Sequence, residues 1–468
     1  MDRSADGATV TDGTVPRAYA PGVTEAASGD ATAGRTVAAR FASRSDIAQM
    51  ARRERITSAL WPVPVIFGLA ALVLAGFTTT LDRHGVIGAD RGRFLVADES
   101  TALTLTSVVA TGMLVFLGIV FSTTLVAIQL AASQYSPRVV RVFLRSRLTK
   151  VALGVFVATF VFALAALIEV RSSRAHLDRG TPVLSLFVLS LLVLATLVVF
   201  LVFANGTARL LRVQYLIERV ATETRRSIAA AFPPADVYVD MVAPAADPRG
   251  TPITSGSRAG VLDAIDLGGL AAVARAADGW IEMLVPIGSY IGEDAPIAVV
   301  HGPRDAEPDD VRATLLLSNE RTLLLDPGCG IRQIADIAIR GLSPAVNDPT
   351  TAVQAIDRLA DLLARAGTRP EPTGWYLDDD GTPRLAALVD TFDGLVRLAF
   401  VEIVRYGAES PQVIRRLNAA FDQLEQRCNT TATSVLGAMR ALLQDAVTEV
   451  AGSTFADISA VSDLRGLG

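Results

Sequence analysis

Four runs of this chain contain no charged side chain: Trp61–Leu81, Ala102–Ala132, Val151–Ile168 and Val183–Ala204. Each reaches the roughly 18 to 20 residues a helix needs to cross about 30 Å of hydrocarbon. A backbone in lipid must satisfy its own hydrogen bonds, so runs of this length read as spanning helices. Composition agrees: 51% hydrophobic and 19% charged residues are too apolar a mix for an ordinary soluble enzyme.

Arginine placement predicts orientation. The flank before the first run, the loop after the second and the segment after the fourth carry 12 Arg or Lys residues, against 6 in the other two loops. The positive-inside rule then puts both termini and the larger C-terminal part in the cytoplasm of a bacterial inner membrane. No ionisable group is expected at membrane depth, which argues against an ion pump or proton-coupled transporter.

The second run carries Ser107, Thr111, Gly118, Ser122 and Gln129 at spacings of 4, 7, 4 and 7, on one helical face. Such a stripe either packs closely against a neighbouring helix or lines a pathway. The following segment places Arg138, Arg141 and Arg145 on one side of an amphipathic pattern. It reads as an interfacial helix over 137–150 that meets anionic membrane lipid headgroups.

The predicted fold class is mainly α. A tail over 1–40, rich in Ala, Gly, Thr, Asp and Ser, reads as disordered. A four-helix transmembrane domain occupies 41–232, with Arg209–Phe232 extending its last span. A small α+β subdomain fills 233–305, with strands in ADVYVDMV, GVLDAID, WIEMLVPI and IAVVH, and a helix capped by Asp266. A helical region covers 306–468, with a hairpin near 374–388 around an Asp-Gly turn.

In the helical region, GIRQIADIAIRGL sets Arg332, Asp336 and Arg340 every fourth residue, a pattern of i,i+4 pairing. LSPAVNDPTTA then reads as a corner: one helix stops before Pro344, and Asp348 caps the next with Pro349 in its first turn. Asn347, Asp348, Thr350 and Thr351 could also hold a cation, and Asp326, Asp336 and Asp348 are the carboxylates a metal-assisted site would use. The sequence supports structural corner and binding corner alike.

Several chemistries are absent. Lys150 is the sole lysine and no histidine neighbours another, so P-loop, Schiff-base and carrier-lysine roles fail for the C-terminal part. Cys329 and Cys428 are isolated, which argues against a disulfide framework or a zinc site. No cofactor motif and no nucleic-acid-reading motif is present.

The segments FSTTLVAIQLAASQYSPRVV, ERTLLLDPGCGIRQIADIAIRGLSPAVNDPTTA and VRYGAESPQVIRRL resemble a bacterial family of predicted membrane proteins, domain of unknown function 2254. The resemblance implies membrane placement and a shared architecture, without an activity. One departure is Ala204-Asn205, where relatives often carry a His-His pair. These features point first to a homo-oligomeric passive channel or pore with a cytoplasmic regulatory domain. The alternative is a membrane-anchored sensor or scaffold that binds a protein partner, and a carboxylate or metal-dependent enzyme is the remaining option.

Overall fold

The structure, a computed structural model, describes residues 17–19, 59–84, 99–134, 146–175, 182–210, 212–232, 238–240, 244, 250–318, 326–378, 380–428 and 432–451. The chain divides into two compact units, Ala51–Leu216 and Ile217–Gly468 with Met1–Met50.

The first unit is built from four helices, α1 (Pro62–Arg83), α2 (Glu99–Gln134), α3 (Arg147–Ala175) and α4 (Val183–Leu210). All four are long and apolar enough to cross a membrane. The third is central: 44% of its apolar stretch is buried, against 17–22% for the others. Small residues let α1 approach it, since a Cβ on Gly154 would stand 2.9 Å from the Phe67 ring. On the α2 side, Met113, Val120, Ala152, Phe156 and Phe203 form a buried cluster, and Phe116 meets Phe156 and Phe200 edge to face.

The helices run past the uncharged runs at their ends. Here α3 takes in Lys150 and Glu169, which flank the uncharged run Val151–Ile168 and are each less than a tenth exposed. Arg83 of α1 pairs with Glu169 at 3.2 Å, and Asp82 accepts bonds from the Leu184 and Ser185 N–H groups and the Ser185 hydroxyl. A carboxylate from one helix thus caps the N-terminus of another, which its dipole favours.

In the second unit, α5 (Val213–Ala231) is separate from α4, not a continuation of it. The hydrophobic run ends and an amphipathic period begins at this junction, where Arg212 N–H bonds the Arg209 carbonyl. A seven-stranded sheet has the order β2-β1-β9-β10-β5-β7-β3. Its strands are β1 (Arg17–Tyr19), β2 (Tyr238–Asp240), β3 (Thr251–Thr254), β5 (Trp280–Met283), β7 (Pro296–His301), β9 (Trp375–Leu377) and β10 (Pro383–Ala386). A three-stranded sheet, β6-β4-β8, joins β4 (Gly260–Ile265), β6 (Tyr290–Ile291) and β8 (Leu315–Ser318). Both sheets share a core with α6 (Leu267–Ala276) and α7 (Pro308–Ala313), centred on Leu262, Leu270, Ile281, Ala298 and Val311. As expected, Asp266 caps α6 through the Gly269 N–H.

The C-terminal helices are α8 (Pro327–Gly341), α9 (Pro349–Gly367), α10 (Phe392–Gly407), α11 (Pro411–Arg427) and α12 (Ala432–Ala451). Ile331, Ile334, Ala338, Ile356, Leu359, Phe400 and Phe421 are buried among them. Two expectations need correction. The region read as helical from residue 306 contains β8, because Leu315–Ser318 pair antiparallel with β4 while Leu315 and Leu317 pack into the α+β core. Three residues of the tail read as disordered form β1, which pairs with β2 and β9.

Candidate functional site

Two regions carry the candidate residues. The first is the face of α2. Its packed side holds Ala102, Thr106, Ala110, Met113, Val120 and Ala127, all buried. At about 100° per residue, Thr111, Gly118, Ser122 and Gln129 fall within roughly 20° of one line on the opposite side. All four are exposed, and Ser107 beside them is half-buried. Gly112 and Gly118 would meet nothing within 4 Å if given a Cβ. Among the described residues, then, no other span packs on the stripe.

Hydrogen bonding separates the stripe from its neighbours. The hydroxyls of Thr104, Thr106, Thr123 and Thr124 donate to carbonyls of their own helix. Ser107, Thr111, Ser122 and Gln129 have no side-chain partner among the described residues. The outward residues of α1 and α4 are mostly aliphatic or aromatic: Ile66, Leu69, Val73 and Phe77 on one, Leu191, Leu194, Leu197 and Leu201 on the other.

The second region lies in the C-terminal unit, where α8 turns into α9. Asp326 caps α8 by accepting from the Cys329 N–H at 2.8 Å, and Pro327 fills the first turn. Asp348 caps α9 in the same way: one oxygen accepts from the Thr351 N–H at 3.1 Å, the other from its hydroxyl at 2.5 Å. Asp348 N–H also bonds the Gly341 carbonyl at 2.7 Å, which draws the two helix ends together. Asn347 takes a left-handed φ of 47°, a conformation asparagine tolerates better than most residues. Both Asp348 oxygens are thus engaged within the turn, while Asn347 and Thr350 are exposed.

Arg332 does more than pair along its own helix. Its Nε donates to Asp336 at 2.7 Å, while its two Nη atoms bracket the Glu402 carboxylate of α10, one of them at 3.0 Å. The Glu402 hydrogen bond raises the Arg332 pKa despite partial burial, and the same bond holds Glu402 below its ordinary value. Arg340 is exposed near the end of α8. Asp326 and Asp348 each cap a helix and Asp336 pairs with Arg332, and no cluster of three metal-ligating side chains occurs among the described residues. Arg138, Arg141 and Arg145 lie outside the described residues, while Arg147–Lys150 of the expected interfacial helix belong to α3.

Sequence reasoning missed the partners that come from distant segments. Glu402 lies 70 residues from Arg332, so no local spacing reveals the pair. His301, buried on β7, stacks on Trp280 at 4.0 Å and bonds Glu282 at 3.1 Å. The pairing of β5 with β7 creates that contact. Asp378, within the expected hairpin, is buried and bonds Arg384 at 2.8 Å.

A family model described as a predicted membrane protein, domain of unknown function 2254, matches residues 57–423. Uncharacterized proteins of Mycobacterium bovis and Mycobacterium tuberculosis are 27% identical over 331 residues, covering 69% of this chain. The match spans 63% of the length of those curated relatives. No solved structure matches the chain significantly. The chain belongs to the family of domain of unknown function 2254.

Proposed function

We propose that this membrane protein assembles into a homo-oligomer in which the α2 stripe lines a passive pathway across the bacterial inner membrane. The supporting observation is the position of Thr111, Gly118, Ser122 and Gln129 opposite the packed side of α2, with the Thr111, Ser122 and Gln129 side chains lacking partners among the described residues. Polar groups that face hydrocarbon unpaired are costly, by several kcal/mol for a group with no partner. A second copy or a file of water would satisfy them. Hydroxyls and backbone suffice for a passive pathway, which needs no ionisable group at mid-depth. The arginine bias supports cytoplasmic termini and a cytoplasmic C-terminal unit.

The test is single-channel recording and solute flux with the full chain in liposomes. Thr111→Leu and Gly118→Leu should abolish the flux, and Val73→Leu on α1 should leave it intact. A full-length protein that passes no ion or small solute refutes the reading.

A second reading, a scaffold for a protein partner, draws on the end of the helical bundle. A Cβ on Gly407 would stand 3.5 Å from Leu342, so the α8–α9 and α10–α11 corners meet there. Val346 and Tyr406, 41% and 56% exposed, lie beside those corners. Loss of partner capture in a Tyr406→Ala, Val346→Ser variant with unchanged flux would favour the scaffold.

A further inference from the structure

We propose that Arg147 on α3 and Arg209 on α4, with Arg212 beyond the end of α4, bind the headgroup phosphate of an anionic phospholipid at one end of the membrane bundle. Such a site holds whether or not the protein conducts solute.

The two ends of the bundle treat charge differently. At the end marked by the buried cluster of Ala102, Val170 and Leu186, a cation meets a carboxylate. Arg83 pairs there with Glu169 at 3.2 Å, and Asp82 accepts from the first N–H groups of α4. At the other end, beyond Ala152 and Phe203, the charged side chains of residues 133–150 and 205–216 are all positive. Residues 100–168 and 179–217 contain no Asp or Glu at all. Arg147, Arg209 and Arg212 are each exposed, with no side-chain partner among the described residues.

Close packing brings arginines of two helices to one seam. A Cβ on Gly206 would collide with Leu148, so the end of α4 lies against the start of α3. Arg147 immediately precedes Leu148, and Arg209 follows Gly206 by three residues, nearly one turn. Depth fits a headgroup as well. Arg147 lies four residues before the uncharged run Val151–Ile168, and Arg209 five beyond Val183–Ala204. At a rise of about 1.5 Å per residue, both sit roughly 6–8 Å past the hydrocarbon edge. The headgroup layer is roughly 5–7 Å thick on each side, within reach of a guanidinium. The guanidinium fork matches phosphate geometry. With no carboxylate on either helix near them, the phosphate of an anionic lipid supplies the complementary charge.

The test is native mass spectrometry of the full-length protein, delipidated in neutral detergent and titrated with phosphatidylglycerol or with phosphatidylcholine of the same acyl chains. Each arginine near an anionic surface contributes roughly fivefold to binding, so the pair should favour phosphatidylglycerol by about 25-fold. Arg147→Gln with Arg209→Gln should erase that preference, while Arg147→Lys with Arg209→Lys should keep most of it. Arg171→Gln, exposed at the opposite end of α3, should leave it intact, which separates a site from a general loss of charge. Equal binding of the two lipids, or a preference that survives the double glutamine variant, overturns the proposal. Inorganic phosphate that displaces the lipid better than chloride at equal ionic strength also overturns it, by making the site one for a soluble anion.

Discussion

Asp378 shows how much one carboxylate can organise. Its side chain is 1% exposed and lies between Arg384 at 2.8 Å and Arg275 at 3.7 Å. Burial pushes its pKa up, but the Arg384 hydrogen bond and the backbone N–H groups of Thr382 and Asp380 outweigh that and leave it lowered. A depressed folded pKa stabilises the fold at neutral pH. That contribution fades as pH falls through the ordinary carboxylate value of about 4 toward the lowered folded value. Asp378→Asn should therefore flatten the acid limb of a stability-versus-pH curve read by tryptophan fluorescence, since Trp280 and Trp375 sit nearby at 4.9 Å from each other. Asp378→Ala, which strands the largely buried Arg384, should cost about 3 kcal/mol in urea unfolding. At this scale the sequence revealed caps but not cross-chain partners. The Asp-Pro pairs at 326 and 348 announce their helices because capping is local. Arg332–Glu402 and Asp378–Arg384 needed the fold, and the former's Glu402 end is 43% exposed, so its loss should cost less than about 1 kcal/mol.

At the scale of elements, helix α5 is tied down along its length. Arg225 reaches Asp361, Glu218 reaches Arg358, and Arg369 bonds the Ala229 and Phe232 carbonyls at its C-terminal end. Thr224 also packs where a Cβ on Gly330 would collide with its hydroxyl. Gly330→Ala should destabilise the C-terminal unit by about 1–3 kcal/mol, and Thr224→Ala should recover much of the loss in a double-mutant cycle by calorimetry. Full additivity of the two substitutions would show that the helices do not meet there. The four spans were legible because length and absence of charge suffice. The separation of α5 from α4 was not, since a helical period continues on both sides of the break. Similarly β8 was hidden: four residues of Leu and Ser fit a helix until β4 supplies a partner.

For the whole molecule, everything turns on the outward direction of the α2 stripe. The periodicity of Thr111, Gly118, Ser122 and Gln129 was readable, but its direction was not, because a helix face gains meaning only from what packs behind it. The deciding measurement is oxidative cross-linking of Thr111→Cys in full-length protein in membranes, with both native cysteines replaced by serine. Disulfide-linked dimers are expected from Thr111→Cys and none from Val73→Cys on α1. Chains that stay monomeric at Thr111→Cys, while the residue reacts with lipid-soluble but not water-soluble thiol reagents, would contradict a pathway lined by this face.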